Sequence, residues 1–387
     1  METFAFIVHP LDARRDVGRK YPIARWLPER LVEWLIQRRD PIVAARVSGI
    51  RSLTGAEAEG WLIGCPLTPR LFMELPLEQV WAKLEQCGRM AEDLGARIIG
   101  LGAFSSVVGD GGITLAGRLN IAVTTGNSYT VATAIEGAVR AAGLMGISLP
   151  EAQAAVVGAT GSIGATCARV LARDVRAVSL VGRNPERLAA VQERILEEGS
   201  PARVSVHTDV GEGLRDSDIV ITVSSAAQAI VHPHHIKRGA VVCDVARPRD
   251  VSVAVARERD DVLVIEGGVV RVPGAMRCEQ PEGSGPFSFG FPPGTAYACM
   301  SETMALALDG RYESFTLGKN VSVEQVDEIS ALCRRHGFVL DGFRSFERAV
   351  TDEEIARIRQ RAGRAVQPGV AGSSRPAGEH GSLPVGQ

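Results

Sequence analysis

A doubly wound, parallel α/β sheet is the fold this sequence predicts, and three observations carry it. Residues 156–164 place Gly158, Gly161 and Gly164 at a G-x-x-G-x-x-G spacing, between a short apolar strand and a helical pattern. A second apolar strand, 177–181, follows at the distance a βαβ unit requires. Four more apolar runs alternate with helical stretches as far as residue 265, the pattern of a parallel sheet covered on both faces.

Taken in order, residues 1–150 read as an N-terminal α/β substrate domain. They open with a basic, Trp-containing stretch (Arg14, Arg15, Arg19, Lys20, Arg25, Trp26, Arg30). A helical pattern follows over 77–94, then strands over 96–102 and 121–124, and a small-residue helix over 131–144. Apolar residues Trp61, Leu62, Ile63, Leu71, Phe72 and Met73 read as core, with an acyl channel as the alternative. Residues 151–293 form the Rossmann-type domain, with strands at 154–157, 177–181, 204–206, 219–223, 240–244 and 262–265. Residues 294–365 are a helical segment packed on the other two. Ser322-x-x-Gln325 and Thr351-x-x-Glu354 mark two of its helix starts. The Gly/Pro/Ser-rich stretch 366–387 reads as a disordered tail.

The glycine spacing has a physical purpose. The first glycine allows the tight turn and the second lets backbone approach a pyrophosphate. The third lets the following helix pack close to the strand, with its N-terminal amides and dipole facing the anion. Gly158, Thr160, Gly161, Ser162, Ile163 and Gly164 are therefore the expected phosphate-binding residues. At the end of the second strand an NAD site usually presents Asp or Glu. Here Arg183 stands there, followed by Asn184 and Arg187. Guanidinium groups suit a ribose 2′-phosphate, so the expected cofactor is NADPH. Ser224, at the end of a later strand, falls near the expected nicotinamide position. Asp244 with Arg247 and Arg249 reads as a solvated loop, with a place beside the cofactor as the alternative.

Composition bounds the rest. The 387 residues exceed one ordinary core, and a net charge of −2 argues against broad nucleic-acid binding. No signal-peptide pattern or membrane-length apolar run is visible. Seven cysteines without a C-x-x-C pair suggest free thiols in a reducing cytoplasm. The adjacent histidines His232, His234 and His235 lack the spacing of a metal site, and no metal is expected.

Cys299 follows Pro292, Pro293 and Gly294 and precedes a run of helix formers. It is expected in the first helical turn, where free amides and the dipole favour a thiolate, although the spacing alone favours a buried, inert cysteine.

Several stretches together resemble the long-chain fatty acyl-ACP reductases of cyanobacteria. They are Leu101-Gly102-Ala103-Phe104-Ser105-Ser106, Thr124-Thr125-Gly126-Asn127, the glycine loop, and Arg183-Asn184-Pro185-Glu186-Arg187-Leu188. Gly267-Gly268-Val269-Val270, Ala298-Cys299 with Glu302, and Arg335-His336-Gly337-Phe338 continue the match in order. The resemblance implies NADPH-dependent reduction of a fatty acyl thioester to an aldehyde, with Cys299 as the acyl-carrying nucleophile. It also implies an acyl carrier protein, or coenzyme A, as the substrate's carrier. Thr125 and Asn127, with Ser105 and Ser106, are the polar candidates for holding the developing oxyanion. Tyr129 stands where that family carries His, and residues beyond about 341 have no counterpart in it. Two alternatives remain at this level. One is a shikimate-dehydrogenase-like enzyme acting on a small hydroxy acid, for which Lys83 and Asp93 would be the catalytic pair. The other is a non-catalytic NADP(H)-binding protein.

Overall fold

The computed structural model describes residues 1–226, 228–281 and 285–364; the tail expected from residue 366 lies outside them. The first sheet begins with Glu2–Val8 (β1), whose residues 4–7 are buried. Ile42–Arg51 (β2) and Glu57–Gly64 (β3) form an antiparallel pair. Strand β1, Ile98–Gly100 (β4) and Ala122–Thr124 (β5) continue from β3 in parallel. One face is covered by the helix Leu77–Asp93 (α1), whose Val80, Leu84, Cys87 and Ala91 share a core with Ile7, Ile63 and Ile99. The core reading of Leu62, Ile63, Leu71 and Phe72 agrees with their burial, whereas Met73 is exposed.

Asn127–Leu144 (α2) starts four residues earlier than its pattern suggested, because Gly126 takes the left-handed conformation (φ 72°) that sets the entry turn. The second sheet follows: Gln153–Val157 (β6), Ala177–Val181 (β7), Arg203–His207 (β8), Ile219–Thr222 (β9), Val241–Asp244 (β10) and Leu263–Glu266 (β11). All neighbours are parallel, in the order β11-β10-β9-β6-β7-β8. This is the predicted doubly wound sheet, and strand order reverses between β6 and β9, where such sheets bind ligands. Strands β9, β10 and β11 are buried throughout, which is why they read as unbroken apolar runs rather than alternating ones.

After β11 the chain returns to its beginning. Val269–Arg271 (β12) leads to Gly274–Glu279 (β13), which adds antiparallel to β2 and so completes the first sheet from the far side of the nucleotide fold. Thr295–Tyr297 (β14) pairs with β12 and runs straight into the helix Ala298–Leu308 (α5). From Met300 to Leu308 every residue of α5 is buried, the polar Ser301, Glu302 and Thr303 included. It packs on β1 and β4 and against α2. Val323–His336 (α6) and Asp352–Arg361 (α7) both carry the reciprocal caps their sequences announced, Ser322 with Gln325 and Thr351 with Glu354.

One hydrophobic core joins the two sheets. Phe4 and Phe6 of the first and Val156 and Ile221 of the second belong to the same buried cluster, bridged by Ala134, Ala138 and Ala141 of α2. No helix among the described residues is long and apolar enough to cross a membrane.

Candidate active site

A crevice of about 1030 Å³ opens where the carboxyl ends of the parallel strands of both sheets meet. Its nucleotide wall starts at β6. Gly158 has φ 85°, a conformation costly for any other residue, and a Cβ there would lie 2.7 Å from the Val223 carbonyl oxygen. A Cβ on Gly164 would lie 2.2 Å from the Gly158 carbonyl oxygen, so that position fixes how closely the next helix, Ser162–Leu171 (α3), approaches the strand. A Cβ on Gly161 would meet only that same oxygen, at 3.4 Å, so the loop's outer side is open. Helix α3 has no side-chain cap, which leaves its first-turn amides for an anion. Thr160, Ser162 and Ile163 line this wall.

Farther along, Arg183 and Arg187 line the crevice at the start of the helix Pro185–Glu197 (α4). Both are exposed, and neither has an acidic partner among the described residues. Asn184 serves the backbone instead, since its Oδ1 accepts the Arg187 N–H at 2.8 Å and caps α4. Ser224 lines the crevice but donates its hydroxyl to Asp250 at 2.5 Å, with its N–H on the same carboxylate at 2.8 Å. Burial pushes the Asp250 carboxyl up to about 6. The segment expected as a solvated loop is instead packed. Asp244 is buried, accepting from Thr222 and three backbone amides, and Arg247 joins the crevice wall.

The opposite wall carries the sulfur. Cys299 is the second residue of α5, as expected, and lines the crevice. Gly126 packs directly on it: a Cβ there would fall 2.3 Å from both Cα and Cβ of Cys299. The expectation of a favoured thiolate is corrected. Burial pushes the thiol up to about 12 and the Glu302 carboxyl adds to this, against the pull of the Met300 and Cys299 amides. Desolvation outweighs the helix terminus, and the resting group is a thiol.

Glu302, one turn further along α5, is fully buried and holds the turn that faces Cys299. It accepts Thr124 Oγ1 at 2.5 Å, Ser128 Oγ at 2.8 Å and the Tyr129 N–H at 2.9 Å. Burial raises its own carboxyl in spite of these donors. Between those anchors, Thr125 donates its hydroxyl to the Thr316 carbonyl at 2.6 Å. Asn127 directs its amide into the crevice, with Nδ2 at 3.5 Å from Ser162 Oγ, which ties this wall to the glycine loop. Ser105 and Ser106 donate to the carbonyls of Gly102 and Ala103. Tyr129 is buried away from the crevice; burial raises its hydroxyl, which meets Cys333.

Sequence reasoning missed two crevice groups. His9, at the end of β1, is pushed down to about 4 by burial and is neutral. Its Nδ1 sits 3.2 Å from the Pro10 carbonyl and its Nε2 accepts the Phe104 N–H at 3.3 Å. Its position at the carboxyl end of a parallel strand was the available signal, hidden because β1 itself went unread. Lys319 lies on the wall, exposed and without an acidic partner among the described residues. Lys83 and Asp93 are on α1, outside the crevice, with Lys83 bonded to the Arg39 carbonyl. None of the six residues weighed as an acyl channel lines it either. His232 and His234 stack in a turn and His235 meets both edge-on, and no group that could hold a metal occurs among the described residues.

Comparisons with known proteins bear on the nucleotide wall. A shikimate/quinate 5-dehydrogenase family model matches residues 140–266, which contain the whole second sheet. Over nearly its full length the chain is similar to the aminotransferase PigE of a Serratia species, 27% identical over 364 residues, 92% of this chain. The chain spans only 42% of that protein's length. It is also similar to the long-chain acyl-[acyl-carrier-protein] reductase of Synechococcus elongatus, 26% identical over 87% of this chain and 98% of that protein. Among solved structures, a dipicolinate synthase component from Bacillus halodurans aligns with a TM-score of 0.32 at 19% identity, over 50% of this chain and 62% of that one. The open glycine cradle, the uncapped α3 amides and the two unpaired arginines fit a nicotinamide dinucleotide, and NAD(P) is the cofactor of the second sheet.

Proposed function

We propose that this NAD(P)-dependent oxidoreductase reduces a fatty acyl thioester to the aldehyde, with Cys299 as the covalent nucleophile and NADPH as the reductant. The observation that carries this reading is the position of Cys299. It sits on the crevice wall facing the glycine loop, at a helix start, in a protein whose other cysteines are absent from that crevice.

The chemistry asks for three services from the chain. Cys299 loses its proton and attacks the thioester carbonyl carbon; the new C–S bond replaces the old one, and the carrier thiol leaves with a proton. Bound NADPH supplies the hydride that this acyl carbon then accepts. The resulting oxyanion collapses, the C–S bond to Cys299 breaks, and the aldehyde departs. Asn127 is the side chain best disposed to stabilise that oxyanion, since its amide faces the crevice and the hydroxyls of Thr125 and Ser105 are already engaged. Thr125 acts through the turn it braces. The carrier is an acyl carrier protein or coenzyme A, and Lys319 is a crevice cation suited to a carrier phosphate.

The test is intact-protein mass spectrometry after mixing with palmitoyl-acyl carrier protein in the absence of NADPH. The expected result is a gain of one acyl group on Cys299 that is discharged as aldehyde on adding NADPH. Tight NADPH binding with no adduct would sink the proposal.

Two further outcomes follow. Because the Cys299 thiol lies near 12, its thiolate fraction rises about tenfold per pH unit throughout the neutral range. Single-turnover acylation is therefore expected to climb with that slope between about pH 6 and 9, without a plateau. A plateau below pH 8 would show that a separate base takes the proton. Replacing Arg183 and Arg187 by Ser removes the charged partners of the 2′-phosphate. NADPH affinity should fall about 10- to 100-fold, the equivalent of about one charged hydrogen bond. NADH affinity should stay unchanged in the same titration.

A further inference from the structure

Between β1 and β2 the chain builds a small helical cap: Ala13–Lys20, Pro22–Arg25 and Glu29–Ile36. Its inner side is a local core of Ala13, Ala24 and Val32, with Val17, Leu27 and Ile36 packed against it. Its outer side is also apolar. Leu31, Trp34 and Leu35 are exposed at i, i+3 and i+4, one stripe of the Glu29–Ile36 helix, while Ile23 is 68% and Trp26 86% exposed. Every exposed large aromatic residue among those described, Tyr21, Trp26 and Trp34, lies in this segment. So dense a clustering is not the single scatter normal for a surface.

Arginines are interleaved with these side chains. Arg25, Arg30 and Arg39 have no ion pair among the described residues, and Arg38 lies over the Trp34 ring at 3.9 Å. Most nearby carboxylates are occupied. Asp12 and Asp16 bond to amides at the start of the Ala13–Lys20 helix, and Glu33 is buried on Thr68 and Arg70, which leaves Glu29 and Asp40.

We infer that this cap docks the protein on the surface of an anionic lipid bilayer. Trp and Leu tips that project outward suit the boundary between headgroups and acyl chains, and guanidinium groups suit lipid phosphates. A symmetric contact with a second copy would set the same arginines against each other. The segment starts at the crevice, because Leu11, where it begins, and Val107 line the rim and are exposed. A bilayer at this face therefore stands beside the mouth through which an apolar molecule would enter or leave. The inference does not depend on the thioester reading, since binding is measured without turnover.

The test is co-sedimentation of the full chain with vesicles of phosphatidylcholine alone, or with about a third phosphatidylglycerol. Binding is expected only to the anionic vesicles, weakening as salt is raised. It should fall at least about tenfold in Ile23→Ser/Trp26→Ser and in Arg25→Glu/Arg30→Glu, from lost apolar insertion and lost charge respectively. NADPH affinity and the circular dichroism spectrum should be retained in both variants, since none of the four residues lines the crevice. Absence of sedimentation with anionic vesicles would overturn the inference. So would a concentration-dependent dimer abolished by the Ile23/Trp26 changes, or binding of acyl carrier protein abolished by them while vesicles stay unbound.

Discussion

Cys299→Ser is expected to lower thioester reduction by about 10³-fold or more while leaving NADPH affinity within about twofold. The asymmetry follows from the geometry. Cys299 belongs to the wall built by α5, whereas the phosphate cradle belongs to β6 and α3. A serine fits the same space but is a far weaker nucleophile in a site that already holds a thiol in its neutral form. The measurement is NADPH oxidation with an acyl thioester, set beside a fluorescence titration of the cofactor. Retained turnover would end the covalent reading and favour direct hydride transfer to a small carbonyl substrate. Loss of both activity and cofactor binding would instead mean that the substitution had disturbed the fold.

Gly126→Ala is expected to cost as much as many direct changes to the chemistry, although the residue has no side chain to contribute. Two penalties combine. The left-handed φ of 72° is unfavourable for alanine, worth about 1–3 kcal/mol of stability. The new methyl would also overlap Cα and Cβ of Cys299 at 2.3 Å, where backbone and a buried helix start have little room to yield. Displacing the sulfur by about 1 Å is enough to lower kcat on the order of 10²-fold. The expected signature is a lower Tm and a collapsed kcat with NADPH affinity intact. An unchanged kcat would show that the Thr125–Asn127 turn and Cys299 are less tightly coupled than their packing indicates.

Different parts of this molecule were legible in the sequence to different degrees, for physical reasons. The nucleotide half was readable because fully buried parallel strands such as β9 and β10 are unbroken apolar runs, and because the glycine loop solves a local steric problem in a fixed spacing. Helix starts after residue 310 were readable because capping is local. The first sheet was readable only at β4 and β5, where strands over 96–102 and 121–124 were expected. Its β2 carries Arg46, Gly49 and Arg51, its β3 is interrupted by Gly60, and its sixth strand, β13, comes from residues 274–279. No local pattern announces a strand that completes a sheet begun more than two hundred residues earlier. At the site, Cys299 and its helical position were readable. The state of its proton was not, because desolvation depends on what folds over the sulfur. Glu302 appeared only as part of a resemblance. Its bracing role becomes visible once α5 is seen beside the turn at Thr124–Tyr129.

The continuous core has a consequence for motion. Helix α5 lies between the first sheet and α2, and α2 packs in turn against the second sheet, so neither half can loosen without exposing apolar surface that both share. The amides of residues 300–308 are therefore expected to exchange with deuterium only through complete unfolding, at the slowest rate in the chain. The cap between residues 11 and 39, held by a core of a few small side chains, should exchange orders of magnitude faster. The reactive sulfur thus rides on the most rigid element of the protein, and the compliance needed to admit a bulky substrate resides in the rim around it.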